Sequence, residues 1–312
     1  MENFLVAVNA VVPFIIYMGL GWLVVRTKTA DEGFLNKLNS LVFKLFLPLM
    51  LFNNFYTLDL SEGFGGTMVL FTAVAILLVT GAAFLIVQRT GLPNNRKGVV
   101  IQAMFRGNAA LFALPLAESV CGETGKTAAS VIVAIAVPMF NVLAVIILEN
   151  YSGGKTDVLS LVKKVVTNPL ILGAVTGFIF FACRIPLPAF ITKPLGALSS
   201  AASPLALMAL GGTLHFSSVK ANGKLLGNIM WIRLLLIPAA MLACSLPFSM
   251  TPAERFAMFT VFSSPLAVSS YTMAANMGGD GELAGQIVCV STVLSLLTMF
   301  LWILILKSTG LV

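Results

Sequence analysis

The segment Phe105-Arg-Gly-Asn-Ala-Ala-Leu-Phe-Ala-Leu-Pro-Leu-Ala-Glu-Ser119 decides the fold of this chain. It lies in a mostly apolar stretch, yet it contains Gly107, Asn108 and Pro115, all of which disfavour a continuous helix. Proline removes a backbone donor and clashes with the preceding turn, while glycine and asparagine have low helix propensity. The segment therefore predicts a helix that is broken in the middle of an apolar stretch.

A second segment repeats the pattern later in the chain. It reads Phe262-Ser-Ser-Pro-Leu-Ala-Val-Ser-Ser-Tyr-Thr-Met-Ala-Ala-Asn276, and Pro265 aligns over Asn108. A single proline in an apolar helix is often only a kink, but two breaks at equivalent positions favour a functional interpretation. Unwound backbone at membrane depth is tolerated only where protein or a water-filled cavity surrounds it. Half-helix N-termini suit a carboxylate there, and freed carbonyls suit a cation.

The composition of the whole chain predicts a membrane protein. Of the 312 residues, 58% are hydrophobic and 10% are charged, whereas soluble domains have about 45–50% and about 25%. Little sequence remains for a soluble domain. The net charge of +7 is therefore attributed to the orientation of the chain in the membrane rather than to affinity for an acidic partner. Mostly apolar stretches of about 20 residues predict ten spans, near 5–25, 34–56, 67–88, 98–120, 127–148, 166–183, 195–216, 225–246, 254–276 and 283–306.

The two halves of the chain resemble each other at an offset of about 156 residues. Each half, 1–150 and 151–312, contains five predicted spans, and Gly153 and Gly154 lie in the connection between them. Because five is an odd number, the second half must enter the membrane from the opposite side. Such inverted repeats are typical of transporters. The pairs that share the offset are Pro13 with Pro169, Gly21 with Gly177, Pro48 with Pro204, and Phe105 with Phe262, the last at one residue more.

The distribution of Lys and Arg predicts the orientation of the chain. Eleven of them lie in or beside the first, third, fifth and seventh connections, and five lie on the opposite side. Cytoplasmic connections carry the excess of positive charge. Both termini are therefore predicted outside, in a multi-pass protein of the plasma membrane.

Charged side chains inside the spans are the sharpest candidates for a binding site. Arg106 adjoins the first break, and its guanidinium has the geometry to hold a carboxylate in two hydrogen bonds, unless it forms a structural ion pair or extends to the surface. For Lys44 and Arg233 two roles stay open, contact with the substrate and a hydrogen bond to a structural partner. Glu118 is a candidate for proton coupling if buried, and of little consequence if it lies near the outer surface.

The polar residues around the breaks complete the predicted site. The predicted substrate-binding set is Arg106, Asn108, Lys44, Asn141, Ser263, Ser264, Tyr271 and Asn276, and the predicted breaks are Gly107, Asn108, Pro115 and Pro265. The hydroxyls near Pro265 have a structural alternative, which is to bond backbone groups loosened by that proline. No enzyme is expected, because the chain has one histidine, no H-E-x-x-H or G-x-S-x-G motif and no C-x-x-C spacing among its four cysteines. No metal or other cofactor is expected either.

The order and spacing of these residues resemble the auxin efflux carrier family, which includes plant PIN carriers and bacterial organic-anion carriers. The resemblance covers the whole chain, and the absence of the long central loop of the plant carriers indicates a bacterial member. It rests on Asn108 with Pro115, Pro265 with Asn276, Asn168-Pro169 opening the sixth span, and Asn36 with Pro48 in the second.

This resemblance implies an architecture and a mechanism. Spans 1, 2, 6 and 7 would form a scaffold that makes a homodimer, and spans 3–5 and 8–10 a mobile transport domain in which the broken helices four and nine cross. Substrate would bind beside the crossing and move by an elevator-like displacement. The resemblance implies that Asn108, Pro115 and Pro265 lie at the crossing, but it does not imply a particular substrate.

The sequence therefore predicts a secondary transporter or uniporter of small organic anions, namely carboxylates. No nucleotide-binding motif is present, so the energy would come from ion gradients or from the membrane potential. Two coupling ions stay open, H⁺ and Na⁺. The sodium-coupled alternative rests on a more distant resemblance to the bile-acid sodium symporters. Two other classes remain open, a membrane receptor or sensor that binds a small anion without moving it, and a channel.

Overall fold

The computed structural model describes residues 2–57, 65–152, 162–163, 165–214 and 216–312, with side chains described except at 2–11, 110, 111 and 216–218. Within these residues the regular structure is helical, and no strand is present. The helices are α1 Glu2–Arg26, α2 Glu32–Tyr56, α3 Gly66–Gln88, α4 Asn94–Phe105, α5 Ala109–Tyr151, α6 Pro169–Ala182, α7 Ala189–Thr213, α8 Phe216–Ala221, α9 Gly223–Ser245, α10 Pro252–Ser263, α11 Ser269–Asn276 and α12 Gly281–Ser308.

Most of these helices are apolar enough for a bilayer. Six described segments are long and apolar enough to cross a membrane: α2, α3, residues Phe112–Tyr151 of α5, α7, α9 and α12. Two shorter apolar helices, Val12–Arg26 within α1 and α6, accompany them. Large apolar side chains such as Leu78 (66% exposed) and Leu297 (61% exposed) point away from the protein interior, as expected where lipid is the solvent.

Helix α5 is a helical hairpin rather than one long span. Gly122 leaves the helical conformation with φ 67° and ψ −154°. A Cβ atom at Gly125 would overlap the carbonyl oxygen of Ala117, whereas residues eight apart in a straight helix are separated by about 12 Å. The chain therefore turns back at Gly122, and the limbs 109–121 and 123–151 correspond to the end of the fourth predicted span and to the fifth.

Helices α2 and α9 each contain one π-helical turn, at Val42–Phe46 and Ile232–Leu236, followed at once by a proline-containing segment. Pro238 has no N–H to donate to the carbonyl of Leu234, and the indole Nε1 of Trp302 donates to that carbonyl instead, at 3.0 Å. The π-turn of α9 is thus fixed by a contact with α12.

Glycines allow two helix pairs to pack at close range. A Cβ atom at Gly21 in α1 would overlap the carbonyl oxygen of Met208 in α7, and one at Gly177 in α6 would overlap that of Phe52 in α2. Gly177 follows Gly21 by 156 residues, and Met208 follows Phe52 by the same number. At the offset predicted for the repeat, the second contact is thus the first with the two halves exchanged. Helices α1, α2, α6 and α7 form a four-helix unit through these pairs.

The remaining helices surround the two breaks. Helix α10 packs along α5, helices α3 and α4 pack on each other and on α5, and α11 packs on α12. Several aromatic side chains are fully buried there, among them Phe105, Phe112, Phe256 and Phe262. The breaks thus lie among fully buried aromatic side chains.

The connections meet at two opposite ends of the molecule. At one end, which we call the Arg96 end, Nε of Arg96 pairs with Oδ2 of Asp280 at 2.8 Å, and its Nη1 donates to Oδ1 of Asn222 at 3.3 Å. These residues belong to the predicted third, ninth and seventh connections. The opposite end contains the turn at Gly122 and is called the Gly122 end.

Candidate functional site

The two breaks are in direct contact. Residues 106–108 separate α4 from α5, and residues 264–268 separate α10 from α11. The backbone N–H of Asn108 donates to the carbonyl of Pro265 at 2.8 Å. The predicted repeat aligns Asn108 with Pro265, so the contact joins two positions that this prediction makes equivalent.

Gly107 is required by this close approach. It forms an isolated antiparallel bridge with Leu266. A Cβ atom at this position would overlap Oγ of Ser264 and the carbonyl oxygen of Val261, and would lie 2.7 Å from Nη2 of Arg233. Any side chain at Gly107 would therefore push the two breaks apart or displace the arginine.

Arg233 connects the carbonyl ends of the two broken helices. Its Nη1 donates to the carbonyl of Met104 at 2.9 Å, and its Nη2 donates to the carbonyl of Ser264, also at 2.9 Å. The side chain is fully buried, and no carboxylate in the described part of the chain forms an ion pair with it. Arg233 is thus a structural partner of the breaks, and it does not line the cavity described below.

Arg106 is also buried, and all of its partners are neutral side chains. Its guanidinium donates to Oε1 of Gln102 (2.8 Å), Oδ1 of Asn141 (2.6 Å) and Oγ of Ser269 (2.7 Å), and it contacts Sδ of Met273 (2.7 Å). Within the described residues no carboxylate pairs with it. A buried charge is costly unless it is compensated, so the site is suited to an anion from outside the chain.

A cavity of about 870 Å³ lies beside the crossing. One wall comes from the breaks and the helices that follow them, including Arg106, Asn108, Asn141 and Ser269. The opposite wall comes from α1, α2 and α7, and its polar residues are Tyr17, Asn54, Ser199, Ser200 and Ser203. The cavity therefore lies between the four-helix unit and the helices that carry the breaks.

Buried donors near Arg106 have no partner in the described structure. They are Nδ2 of Asn108, Nε2 of Gln102 and Oγ of Ser270. Buried polar groups in folded proteins are nearly always hydrogen-bonded to protein, ligand or water. Of the three residues only Asn108 lines the cavity, and its free donor suits an oxygen of an anionic ligand.

The structure brings only part of the predicted site together. Arg106, Gly107, Asn108, Pro115 and Asn141 line the cavity. Ser263 and Ser264 lie at the second break but do not line it, and Oγ of Ser264 donates to the carbonyl of Val261 at 3.0 Å. In a continuous helix the N–H of residue 265 would bond that carbonyl, but proline has no N–H. The hydroxyl of Ser264 bonds it instead, which is the structural alternative.

Tyr271 and Asn276 contact the four-helix unit instead of the cavity. The hydroxyl of Tyr271 lies 2.9 Å from Oγ1 of Thr213, and Oδ1 of Asn276 accepts from Oγ of Ser40 at 2.9 Å. Their role in binding substrate stays a prediction, and the contacts place them between α11 and its neighbours α7 and α2.

Two charged candidates lie in exposed positions. Lys44 is exposed on the π-turn of α2 and is not among the residues that line the cavity. Glu118 lines the cavity at the Gly122 end, but its side chain is 47% exposed and pairs with Lys126 at 3.1 Å. This is the surface position for which the sequence predicts little consequence, and a coupling role for Glu118 stays a prediction.

Sequence reasoning did not select several residues of the site. Gln102 precedes Arg106 by one helical turn, which places both on one face of a helix, and this spacing was the available signal. The serines of α7 gave no signal, because small hydroxyl residues are common wherever membrane helices pack closely.

Comparison with known proteins identifies the family. The family profile described as "Membrane transport protein" (Mem_trans) matches residues 6–303. An uncharacterized transporter of Methanothermobacter thermautotrophicus is 26% identical over 97% of this chain and 99% of its own length. An uncharacterized transporter of Methanocaldococcus jannaschii is 28% identical over 68% of this chain and 69% of its own length. A protein of Rhizobium meliloti named "Putative malonate transporter" is 25% identical over 93% of this chain and 92% of its own length. The chain belongs to the Mem_trans family of membrane transport proteins, the family of the auxin efflux carriers that its sequence resembles.

Proposed function

We propose that this protein is a secondary transporter or uniporter of small carboxylates, which bind in the cavity beside the crossing. The observation that carries the proposal is the buried guanidinium of Arg106, which lines the cavity and has only neutral partners in the described structure. A bound carboxylate would supply the missing negative charge. It would also accept from the unpaired donor of Asn108.

The helix ends favour an anion in the same place. Asn108 and Val268 are the residues that cap the N-termini of α5 and α11, and both line the cavity. Helix N-termini carry about half a positive charge each. The carbonyl ends of α4 and α10 are bonded to Arg233 instead. The electrostatic field of the breaks on the cavity side is therefore positive.

The opposite wall supports selectivity for small polar carboxylates. Serine, tyrosine and asparagine side chains on α1, α2 and α7 offer neutral donors and acceptors to the distal part of a bound molecule. The relative named for malonate supports a short dicarboxylate as one of the substrates to test first. The cavity volume of about 870 Å³ accommodates such molecules together with water.

The proposal includes ten spans in two inverted repeats, 1–150 and 151–312. The exchanged contacts Gly21–Met208 and Gly177–Phe52 support the repeat, and the meeting of the third, seventh and ninth connections at the Arg96 end supports the alternation of the spans. Helices α1, α2, α6 and α7 would be the scaffold and dimer contact, and the other helices the mobile domain of an elevator. The excess of Lys and Arg in the first, third, fifth and seventh connections supports an orientation with both termini outside. The membrane in this proposal is the plasma membrane.

Three hydrogen bonds support an outward-facing state for the described structure. They join α11 to the four-helix unit near the Arg96 end: Thr272 to Asn39 (2.7 Å), Ser40 to Asn276 (2.9 Å) and Tyr271 with Thr213 (2.9 Å). The exposed lining residues Asn54, Glu118 and Ser200 belong to the Gly122 end. In the proposed cycle these three bonds break when the mobile domain moves.

Linking α11 to α2 should stop transport without stopping binding. With the native cysteines replaced, the pair Ser40→Cys and Asn276→Cys can be joined by a short, reducible thiol cross-linker. We expect uptake to fall at least about tenfold after cross-linking and to recover after reduction, because alternating access needs this contact to open. Single-cysteine variants treated in the same way are the control, and full uptake by the cross-linked protein would refute the proposed motion.

The function itself is tested by flux into proteoliposomes. A panel of mono- and dicarboxylates that includes malonate is presented with and without sodium and pH gradients, and uptake and current are recorded. Saturable flux of at least one carboxylate is the expected result. Binding without flux would identify a receptor or sensor, current that does not saturate would identify a channel, and either result would overturn the proposal.

A further inference from the structure

Arg233 occupies a position where a coupling cation would be expected in a transporter with broken helices. In such transporters, unwound carbonyls and half-helix C-terminal ends coordinate Na⁺ or H⁺. Here the carbonyls of Met104 and Ser264, one from each broken helix, accept from a single guanidinium at 2.9 Å each. We propose that Arg233 is a tethered cation that replaces a coupling ion at the crossing, so that transport needs no sodium there. This inference rests on the proposed transport function.

The charge at this position has no other evident use. Arg233 is fully buried, does not line the cavity and pairs with no carboxylate in the described structure. Two C-terminal helix ends together carry about one negative charge, which one guanidinium balances.

The local fold holds the guanidinium in place. Arg233 lies in the π-turn of α9, and π-turns place one extra residue in a helix and often occur at functional sites. Trp302 bonds the carbonyl of Leu234, the residue next to it. Gly107 leaves the space that the guanidinium needs, since a Cβ atom there would lie 2.7 Å from Nη2.

The arrangement also separates the two charges of the site. Arg106 faces the cavity and its substrate, and Arg233 faces the carbonyl ends behind the crossing. A soluble cation bound behind the crossing would enter and leave in each cycle, whereas Arg233 moves with the protein. No cation bound from solution behind the crossing would then add to the charge carried with the substrate.

The inference is tested by exchanging the charge at position 233. [¹⁴C]Malonate uptake, or uptake of whichever carboxylate the panel identifies, is measured in choline, sodium and methylguanidinium salts. Wild-type uptake should be equal in choline and sodium. Arg233→Lys should keep the rate within about tenfold, while Arg233→Gln, which keeps donors but loses the charge, should lose at least about 50-fold, in line with two charged hydrogen bonds.

Arg233→Ala gives the most direct result. In choline it should be inactive, and sodium or methylguanidinium should restore uptake, because a free cation enters the vacated position. Arg89→Ala, which changes an exposed arginine, is the matched control and should show no cation dependence. Wild-type uptake that requires sodium would overturn the inference, and so would an Arg233→Gln variant as active as the wild type.

A second readout does not depend on transport. Thermal unfolding of the detergent-solubilised Arg233→Ala variant should move to higher temperature as sodium or methylguanidinium is raised, since a ligand that binds only the folded state stabilises it. The wild type should show no such shift. If the wild type transports no carboxylate, only the proposed function is refuted. If the unfolding temperature of the Arg233→Ala variant does not depend on the cation, the proposal that Arg233 is a tethered cation is refuted. If Arg233→Ala does not fold, the same comparison is made with Arg233→Gln.

Discussion

Arg106→Ala should abolish saturable carboxylate binding and transport. A bidentate carboxylate would replace two of the neutral partners of Arg106. Each hydrogen bond to a charged group contributes about 1.5–3 kcal/mol, so losing that pair lowers the affinity about 100-fold or more. Arg106→Lys should be intermediate, because it keeps the charge and loses the planar fork. Binding is measured by isothermal titration, with malonate as the first ligand, and flux by uptake into proteoliposomes.

The control for this prediction has to separate binding from folding. Removing Arg106 leaves the acceptors of Gln102, Asn141 and Ser269 without their donor, so each variant is first compared with the wild type by size-exclusion chromatography and thermal unfolding. Arg89→Ala removes an exposed arginine and should leave affinity and flux unchanged. A folded Arg106→Ala protein with affinity within about threefold of the wild type would mean that the carboxylate binds elsewhere.

Gly107→Ala should eliminate transport although it adds only one methyl group. The new Cβ would overlap Ser264 and Val261 and would crowd Arg233. Overpacking of this kind typically costs about 1–3 kcal/mol, and here it acts on the contact between the two breaks. We expect uptake to fall about 100-fold, with displacement of the breaks adding to this packing cost.

Gly81→Ala is the matched control for Gly107. Gly81 lies inside α3, and a Cβ atom there would have nothing within 4 Å. Alanine is the better helix former by about 1 kcal/mol, so this variant should be at least as stable as the wild type and equally active. Wild-type uptake by Gly107→Ala would show that the breaks separate without loss of function.

The sequence predicted the positions of the helices well. The second and third predicted spans, 34–56 and 67–88, differ by no more than two residues from α2 at Glu32–Tyr56 and α3 at Gly66–Gln88. Apolar length and the effects of proline and glycine act locally, so they can be recognised without knowledge of the fold. The interruptions at residues 106–108 and 264–268 include Gly107, Asn108 and Pro265, whereas Pro115, the fourth predicted break, lies inside α5.

The partners of the charged residues could not be predicted in this way. Lys44, Arg106 and Arg233 all lie within predicted spans, but the first is exposed and the other two are buried. Which side of a helix faces a break depends on how distant parts of the chain pack. Arg233 bonds a carbonyl 129 positions away in sequence, and no pattern in a single sequence indicates such a contact.

The glycine contacts of the four-helix unit have a consequence for the biogenesis of the protein. Gly21 meets Met208, and Phe52 meets Gly177, so neither α1 nor α2 has its close partner until the second half has been synthesised. At about 5–20 residues per second, α1 waits roughly 10–40 s for α7. During this time the faces of α1 and α2 that carry Gly21 and Phe52 would lie against lipid or an insertion factor. The chain would therefore be most open to misassembly while the ribosome is still translating it.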